Sequence, residues 1–293
     1  MEINVCFGIN DNYCQHCACT IASILYNSNP KDKYNFHIIS DFISDMNRQK
    51  LESLKYIRKF KLFIHEVNID DYLNLDVNNQ LGPSSFFRFK AFELFAFDKV
   101  IYLDADIIVR KDIGELYKTD IDGYYCAGVE DILNPYLKEK YNISPTSLYI
   151  NSGVMLINLK YCREHNVSEK INEFLNTPWK IQWGDQDIIN FIWQNGIKSV
   201  DLTWNCAYCY NNYYEDKDYY HKMAKDPAII HYITSRKPWI AGMNPHLKLD
   251  YFKYLRLTPY YNEFMPLYQM EENSLVLSKL DELKALLLQN QNK

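Results

Sequence analysis

Glycine is scarce in this chain, nine in 293 residues, and none belongs to a G-x-G-x-x-G or Walker A sequence. The usual dinucleotide and P-loop routes to phosphate binding therefore lack their residues. Lysine and arginine form no long run and the formal net charge is −5, which argues against nucleic acid as a partner. No stretch of about 18 apolar residues exists, so no membrane-spanning helix is expected. Met1-Glu-Ile-Asn-Val5 has no basic segment leading into an apolar one, so no secretory signal is expected. In that setting the eight cysteines read as reduced thiols of a cytoplasmic protein. Cys14/Cys17 and Cys206/Cys209 have metal-like spacing. A zinc site joining them would need a long-range contact, and incidental thiols are the preferred reading.

What is present is ample apolar material, 47% of the chain, enough to core one large or two small domains. Its centre is Lys99-Val-Ile-Tyr-Leu-Asp-Ala-Asp-Ile-Ile-Val109, a mostly β-branched and aromatic run that reads as a strand buried on both faces. On one strand Asp104 and Asp106 would share a face. Two unneutralised carboxylates in apolar surroundings repel each other and are costly to desolvate. A divalent cation such as Mg²⁺ or Mn²⁺ relieves both problems, and such ions commonly hold substrate phosphates. The competing reading ends the strand at Leu103 and leaves both acids solvated in a loop.

Around this centre the chain alternates. Strands are expected at 3–9, 34–40 and 60–67. Helices are expected at 14–27, from the Ser44 cap to 57, and from Ser84/Ser85 to 97, the last carrying Arg88. This β-α-β-α-β order predicts an α/β fold with a mostly parallel, doubly wound sheet, whose first strand–helix loop is placed to bind a nucleotide. Further strands are expected at 124–129, 147–159, 197–202 and 228–233, and helices at 161–175 and 184–194. From residue 262 to 293 the character changes. Leu275, Leu277, Leu280, Leu283, Leu286 and Leu287 fit an amphipathic helix. Its polar face is not rich in Lys or Arg, so docking or self-association is preferred to peripheral membrane contact. The expected division is thus a body, 1–261, and a helical tail, 262–293.

Several fragments then fall in one order: Asn10-Asp-Asn-Tyr13, an Arg-bearing helix, Tyr102-Leu-Asp-Ala-Asp106, Asn151-Ser-Gly-Val-Met-Leu-Ile-Asn-Leu159, Gly184-Asp-Gln-Asp187 and His231-Tyr232 with Lys237-Pro-Trp239. Over residues 1–245 the set resembles glycosyltransferase family 8. The bacterial lipopolysaccharide α-galactosyl- and α-glucosyltransferases are nearer than glycogenin, through the Asp-Asn-Tyr opening and the Lys-Pro-Trp. The resemblance implies a GT-A fold with nucleotide-binding and acceptor-binding halves. It also implies a UDP-sugar donor with Mn²⁺, or alternatively Mg²⁺. It implies a galactose or glucose passed with retention to a glycan acceptor, an oligosaccharide or glycolipid of lipopolysaccharide or lipooligosaccharide core type. The enzyme would work in the cytoplasm, with the inner face of the membrane as a possible station.

Carried onto this chain, Asp104, Asp106 and His231 would hold the metal. An imidazole beside two carboxylates independently shifts preference toward Mn²⁺. Gly8, Asn10, Asn12 and Tyr13 would hold uracil and ribose, and Ala105 lies within the metal motif at the donor. Arg88 would reach the sugar and phosphates, and Lys237 the diphosphate. Asp131, Asn151, Asp185 and Gln186 would line the sugar, with Gln186, Asp185 and Asp131 taken as catalytic. Retention needs either a nucleophile, Gln186 or Asp187, or front-face attack. Glutamine is a poor nucleophile, which favours the latter. Thr234 stands where many members carry glycine, and residues 203–226 leave the acceptor unassigned. The alternative is a GT-A-like glycan- or nucleotide-binding protein without catalysis. A nucleotidyltransferase is disfavoured because Gly8-Ile-Asn-Asp11 is neither Gly-rich nor basic.

Overall fold

The computed structural model describes residues 1–68, 83–131, 136–177, 181–207 and 222–291, with side chains of the last helix described as far as Leu280. Nine strands are defined among them: β1 (Glu2–Gly8), β2 (Lys33–Ser40), β3 (Lys61–Glu66), β4 (Lys99–Leu103), β5 (Ile107–Val109), β6 (Cys126–Glu130), β7 (Ile150–Asn158), β8 (Ile197–Ser199) and β9 (Ile229–His231). Seven form one sheet in the order β3-β2-β1-β4-β7-β6-β8, while β5 and β9 pair separately. Neighbours are parallel except at β7, which runs against both β4 and β6. The expected mostly parallel, doubly wound sheet is therefore observed. The chain lays β2 and β3 on one side of β1, then crosses back to place β4 on the other. That reversal opens a crevice at the carboxyl ends of β1 and β4.

Side-chain alternation builds the core. Val5 and Phe7 of β1, with Ile101 and Leu103 of β4, face one cluster, while Cys6, Val100 and Tyr102 face the other. Both faces are covered, which is why these strands read as continuous apolar runs. The Cys14–Asn27 helix packs in the first cluster with eleven of its residues buried. Its small residues, Ala18, Cys19, Ala22 and Ser23, let it lie close against its neighbours. Ser44 caps the Asp45–Ser53 helix as expected, accepting from the Asn47 N–H.

Three elements differ from expectation. The central run is not one strand: β4 ends at Leu103 in the large sheet, and β5 starts at Ile107 against β9. Asp104 and Asp106 thus lie in the break between two sheets, yet they are not simply solvated. The segment expected to form a helix to residue 97 is a 3₁₀ turn, Pro83–Lys90, followed by one short α turn, Ala91–Leu94. Phe86, Phe87, Arg88 and Phe89 are all buried, so no solvent-facing side remains for an amphipathic helix. The helix expected at 161–175 divides into Leu159–Glu164 and Val167–Leu175, interrupted where Asn166 turns left-handed at φ 52°.

The last helix, Tyr261–Gln291, docks by its first turns. Tyr268 is buried, Lys50 Nζ lies 2.6 Å from Glu263, and Lys248 Nζ lies 3.2 Å from Glu272. Farther along, Leu275, Val276, Leu277 and Leu280 are exposed. The side chains of Leu283, Leu286 and Leu287 lie outside the described residues, as does Cys209. No described helix is long and apolar enough to cross a membrane. Cys14, Cys17 and Cys206 are buried, and Cys14 and Cys17 are free thiols.

His37 of β2 generates one test of this core. Its ring sits among Phe63, Phe95 and Phe97, with Nδ1 3.1 Å from His65 Nε2. Burial, and then His65, push it from 6.5 down to about 4. Between those values the unfolded chain binds more protons than the folded one, so stability falls as pH falls. We expect denaturant melts between pH 6.5 and 4.5 to show a loss on the order of 1 kcal/mol per pH unit from this residue. His37→Phe should flatten that slope, and parallel slopes for the two proteins would show that His37 is not held neutral.

Candidate active site

The break between β4 and β5 is held at several backbone points. The Asp104 N–H donates to Gly153 O at 2.8 Å, and the Tyr232 N–H donates to Asp106 O at 3.0 Å. The buried Thr20 hydroxyl lies 2.7 Å from Ile107 O and 3.1 Å from Ala105 O. The Ala105 side chain is itself buried. The β5–β9 register sets Ile107 opposite His231, which delivers the imidazole one residue from Asp106. His231 Nε2 then lies 3.2 Å from Asp106 Oδ1 and 3.7 Å from Asp104 Oδ2. Gly153 closes the corner: a Cβ there would fall 2.3 Å from His231 Cε1 and 2.6 Å from Asp104 Oδ2.

This corner fits a divalent cation. One oxygen or nitrogen from each of Asp104, Asp106 and His231 lies within 4.8 Å of the others, the only such group among the described residues. Asp106 Oδ1 is buried and takes no hydrogen bond. His231 Nδ1 lies 2.8 Å from Asn205 Oδ1, which can only accept, so the proton belongs on Nδ1 and the Nε2 lone pair faces the carboxylates. Three electron-rich atoms meeting in a largely enclosed corner call for a positive charge. Burial alone would raise the Asp106 carboxyl. The Lys237 ammonium bonded to its Oδ2, the largest opposing influence, holds it well below the usual carboxylate range.

Arg88 is the second cation. Its guanidinium is buried, 3.0 Å from Asp104 Oδ1 and 2.9 Å from Asp185 Oδ2, and donates to Ser152 O at 2.7 Å. Burial disfavours its charge, but Asp185, Tyr102 and Asp104 outweigh that effect. The one guanidinium serves two carboxylates. Burial therefore pushes Asp185 up to about 7, against Arg88 and with Asp104 adding repulsion.

A hydrogen-bond chain runs on from His231. Asn205 Nδ2 donates to Asn151 Oδ1 at 2.9 Å, and Asn151 Nδ2 donates to Gln186 Oε1 at 3.1 Å. Gln186 Oε1 also accepts from the Ser152 N–H, while its Nε2 donates to Asp131 Oδ2 at 2.8 Å. Asp131, Asn151, Asp185, Gln186, Arg88, Asp104, Asp106, His231 and Lys237 are thus brought together. Asp187 is not among them. It is fully buried and accepts from the hydroxyls of Tyr141 and Tyr149 and the N–H groups of Gln182 and Trp183. With its lone pairs occupied, it is no nucleophile: it anchors the turn before the Asp185–Ile192 helix and so aims Gln186.

The N-terminal loop sits nearby in the same crevice. Gly8 ends β1 where a Cβ would press on Phe87 and the Tyr102 hydroxyl, each at 3.3 Å. Asn10 Oδ1 is buried without a partner, Asn12 is exposed, and Tyr13 is 40% exposed. Asp11, which sequence reasoning left unassigned, ties this loop to Ser44 and Asn47. Thr234 adopts φ 71°, the left-handed region, which gives the family glycine its backbone reason. A β-branched residue held there costs roughly 1–2 kcal/mol. Sequence reasoning also missed Asn205 and Ser152. Nothing marks Asn205 within its aromatic stretch, and Ser152 was visible only as the middle of Asn-Ser-Gly.

The sheet with its switch-point crevice, and the acid–acid–imidazole corner inside it, define a GT-A glycosyltransferase. A model of Glycosyl transferase family 8 matches residues 4–242, and the chain belongs to that family. A lipopolysaccharide 1,2-glucosyltransferase of Escherichia coli is 31% identical over 277 residues, spanning 88% of this chain and 79% of the relative. A lipopolysaccharide 1,3-galactosyltransferase of Salmonella typhimurium is 29% identical over 249 residues, spanning 81% and 73%. Among solved structures, the galactosyltransferase LgtC with donor and acceptor sugar analogs superposes with a TM-score of 0.77 at 23% identity. That match covers 88% of this chain and 96% of LgtC, a likeness of fold.

Asn205 supplies the test of this geometry. Removing the acceptor that fixes the His231 tautomer should weaken Mn²⁺ binding about 10–100-fold. Asn205→Ala, titrated with Mn²⁺ by electron paramagnetic resonance, checks this. Unchanged affinity would show that His231 needs no such support.

Proposed function

We propose that the chain transfers galactose or glucose from a UDP-sugar, with retention, to a glycan acceptor of the lipopolysaccharide or lipooligosaccharide core type. The observation that carries this reading is the unbroken hydrogen-bond chain from the acid–imidazole corner to the buried carboxamide of Gln186. It ties a phosphate-side site to a sugar-side site in one rigid unit. Asp104, Asp106 and His231 would hold Mn²⁺, with Mg²⁺ as the alternative. Such an ion would supply Lewis-acid charge at the diphosphate. The likeness to a lipopolysaccharide 1,2-glucosyltransferase and a lipopolysaccharide 1,3-galactosyltransferase favours a hexose donor and a lipopolysaccharide-type acceptor.

The chain's own residues do the rest. Gly8, Asn10, Asn12 and Tyr13 form the uridine side, where the buried, unpartnered Asn10 Oδ1 is an acceptor awaiting a donor and the Tyr13 ring offers a stacking face. Lys237 brings a compact positive charge to the diphosphate and Arg88 bridges phosphate and sugar. Asp131, Asn151, Asp185 and Gln186 line the sugar. Gln186 Oε1 already accepts two hydrogen bonds, which makes it a fixed dipole and a poor nucleophile. With Asp187 also occupied, attack from the leaving-group face is the better mechanism, the acceptor proton passing to the departing phosphate oxygen. Residues 1–261 would form the transferase body. The exposed Leu275, Leu277 and Leu280 of the tail would serve self-association or peripheral contact at the inner face of the membrane, in the cytoplasm.

UDP release from a panel of UDP-sugars without acceptor, with Mn²⁺ and with chelator, tests the class and names the sugar. One donor should be hydrolysed slowly and only with metal. Absence of both hydrolysis and UDP binding would point to a non-catalytic protein. Asp106→Asn should abolish metal-dependent turnover in a folded protein. Gln186→Ala should lower turnover about 10–100-fold while UDP affinity changes little. A collapse of UDP binding in the Gln186 variant would instead assign it to donor positioning.

A further inference from the structure

His16 belongs to none of the motifs above, yet it is tied to the site from two sides. It lies in the first turn of the Cys14–Asn27 helix and is 8% exposed. Its ring stacks on Trp239, with centroids 3.6 Å apart and planes 20° apart. Its Nδ1 lies 2.8 Å from the Tyr251 hydroxyl, to which Gln15 Nε2 also donates at 3.1 Å. Tyr251 is buried and its ring centroid lies 5.2 Å from that of Trp239. Trp239 in turn belongs to the loop that carries Lys237, whose Nζ lies 5.9 Å from the indole centroid, bonded to Asp106 and to Tyr232 O.

That loop needs outside support. Thr234 holds it in the left-handed region, and its internal backbone bonds are short-range, Lys237 N–H to Ser235 O and Ile240 N–H to Lys237 O. A loop with a strained residue and only turn-type bonds does not fix a long lysine side chain by itself. The stack on His16 pins Trp239 to the first helix, beside its tilted contact with Tyr251 of the Lys248–Leu255 helix.

We propose that His16 is a positioning residue for Lys237: by stacking on Trp239, it holds the 234–239 loop against the first helix and fixes the ammonium beside Asp106. The ring suits the task. Burial pushes His16 down to about 3 although Asp106 pulls the other way, so the stacked ring stays neutral and brings no second cation toward Lys237. The proposal rests on the reading that Lys237 meets the donor diphosphate, and the test separates the two.

UDP affinity is measured by calorimetry with Mn²⁺ for the full chain and four variants. Lys237→Ala should weaken UDP about tenfold or more, as expected for a charge-assisted contact. His16→Ala should weaken it about 5–10-fold, and His16→Phe, which keeps the stack and loses only the Tyr251 bond, should stay within about twofold. The double variant His16→Ala/Lys237→Ala should bind no more weakly than Lys237→Ala alone, because the two changes remove one interaction. Wild-type affinity in Lys237→Ala overturns the diphosphate reading and the proposal with it. Loss in Lys237→Ala combined with additive losses in the double variant, or equal losses for His16→Ala and His16→Phe, overturns the proposal alone. If His16→Ala does not fold, Trp239→Leu removes the same stack from the loop side and gives the same cycle.

Discussion

A buried imidazole lone pair facing two carboxylates is the constraint on which the rest of this structure depends. None of the three groups can satisfy another without a cation, and taken from water together they are strongly unfavourable. The fold must therefore hold them by force from elsewhere. It does so by splitting what would be one strand into β4 and β5 and giving each half its own partner, β7 and β9. The split places Asp104 under the control of the large sheet and Asp106 under that of the small one. Thr20 then hooks the break from beneath. Misplacing either sheet by one residue would carry an acid out of the corner, because register and side-chain face are the same variable in a strand.

Around that corner the two protein cations are divided by role. Lys237 is on a loop, one compact charge against Asp106, with a flexible stem. Arg88 is buried and planar, and its fork spans Asp104 and Asp185. Three carboxylates and two cations leave the site short of positive charge. The deficit lies where a cation and a diphosphate would be exchanged together. The carboxamides of Asn205, Asn151 and Gln186 carry order from this charged region to Asp131 without carrying charge. Each can accept and donate at once, so the chain stays fully bonded while the ends differ.

The legible part of the site was the part whose chemistry is carried by residue type and spacing. Asp104 and Asp106 could be placed from their spacing on a strand, and His231 with Lys237 six residues on and Gly-Asp-Gln-Asp from the resemblance that the set carries in that order. The sheet was legible because buried parallel strands announce themselves as apolar runs. The strand break was not, since Ile107-Ile-Val109 is as β-prone as Val100-Ile-Tyr-Leu103 and only the partner differs. The Phe-rich stretch around Arg88 was misjudged as an ordinary helix because burial on all sides erases the helical period. Asp187 was a candidate nucleophile only through the resemblance, as one of two residues that could serve a double displacement. Four donors, two of them the hydroxyls of the distant Tyr141 and Tyr149, decide otherwise.

Thr234 shows how such a site tolerates a local misfit. A left-handed β-branched residue is unfavourable wherever it stands, and glycine would be the simpler choice. The residue survives because the chain on both sides of it is held independently, by the β5–β9 pairing before and by the His16–Trp239 stack after. Strain between two fixed points has no route to relax, so it stays local and does not reach Asp106. The same logic explains why the stacked contact of Trp239 is made to a buried helix, while the Tyr13 ring of the N-terminal loop meets it only edge-on at 6.5 Å. Only an element whose own position is decided by the core can serve as the second fixed point. The eleven buried residues of that first helix make it such an element.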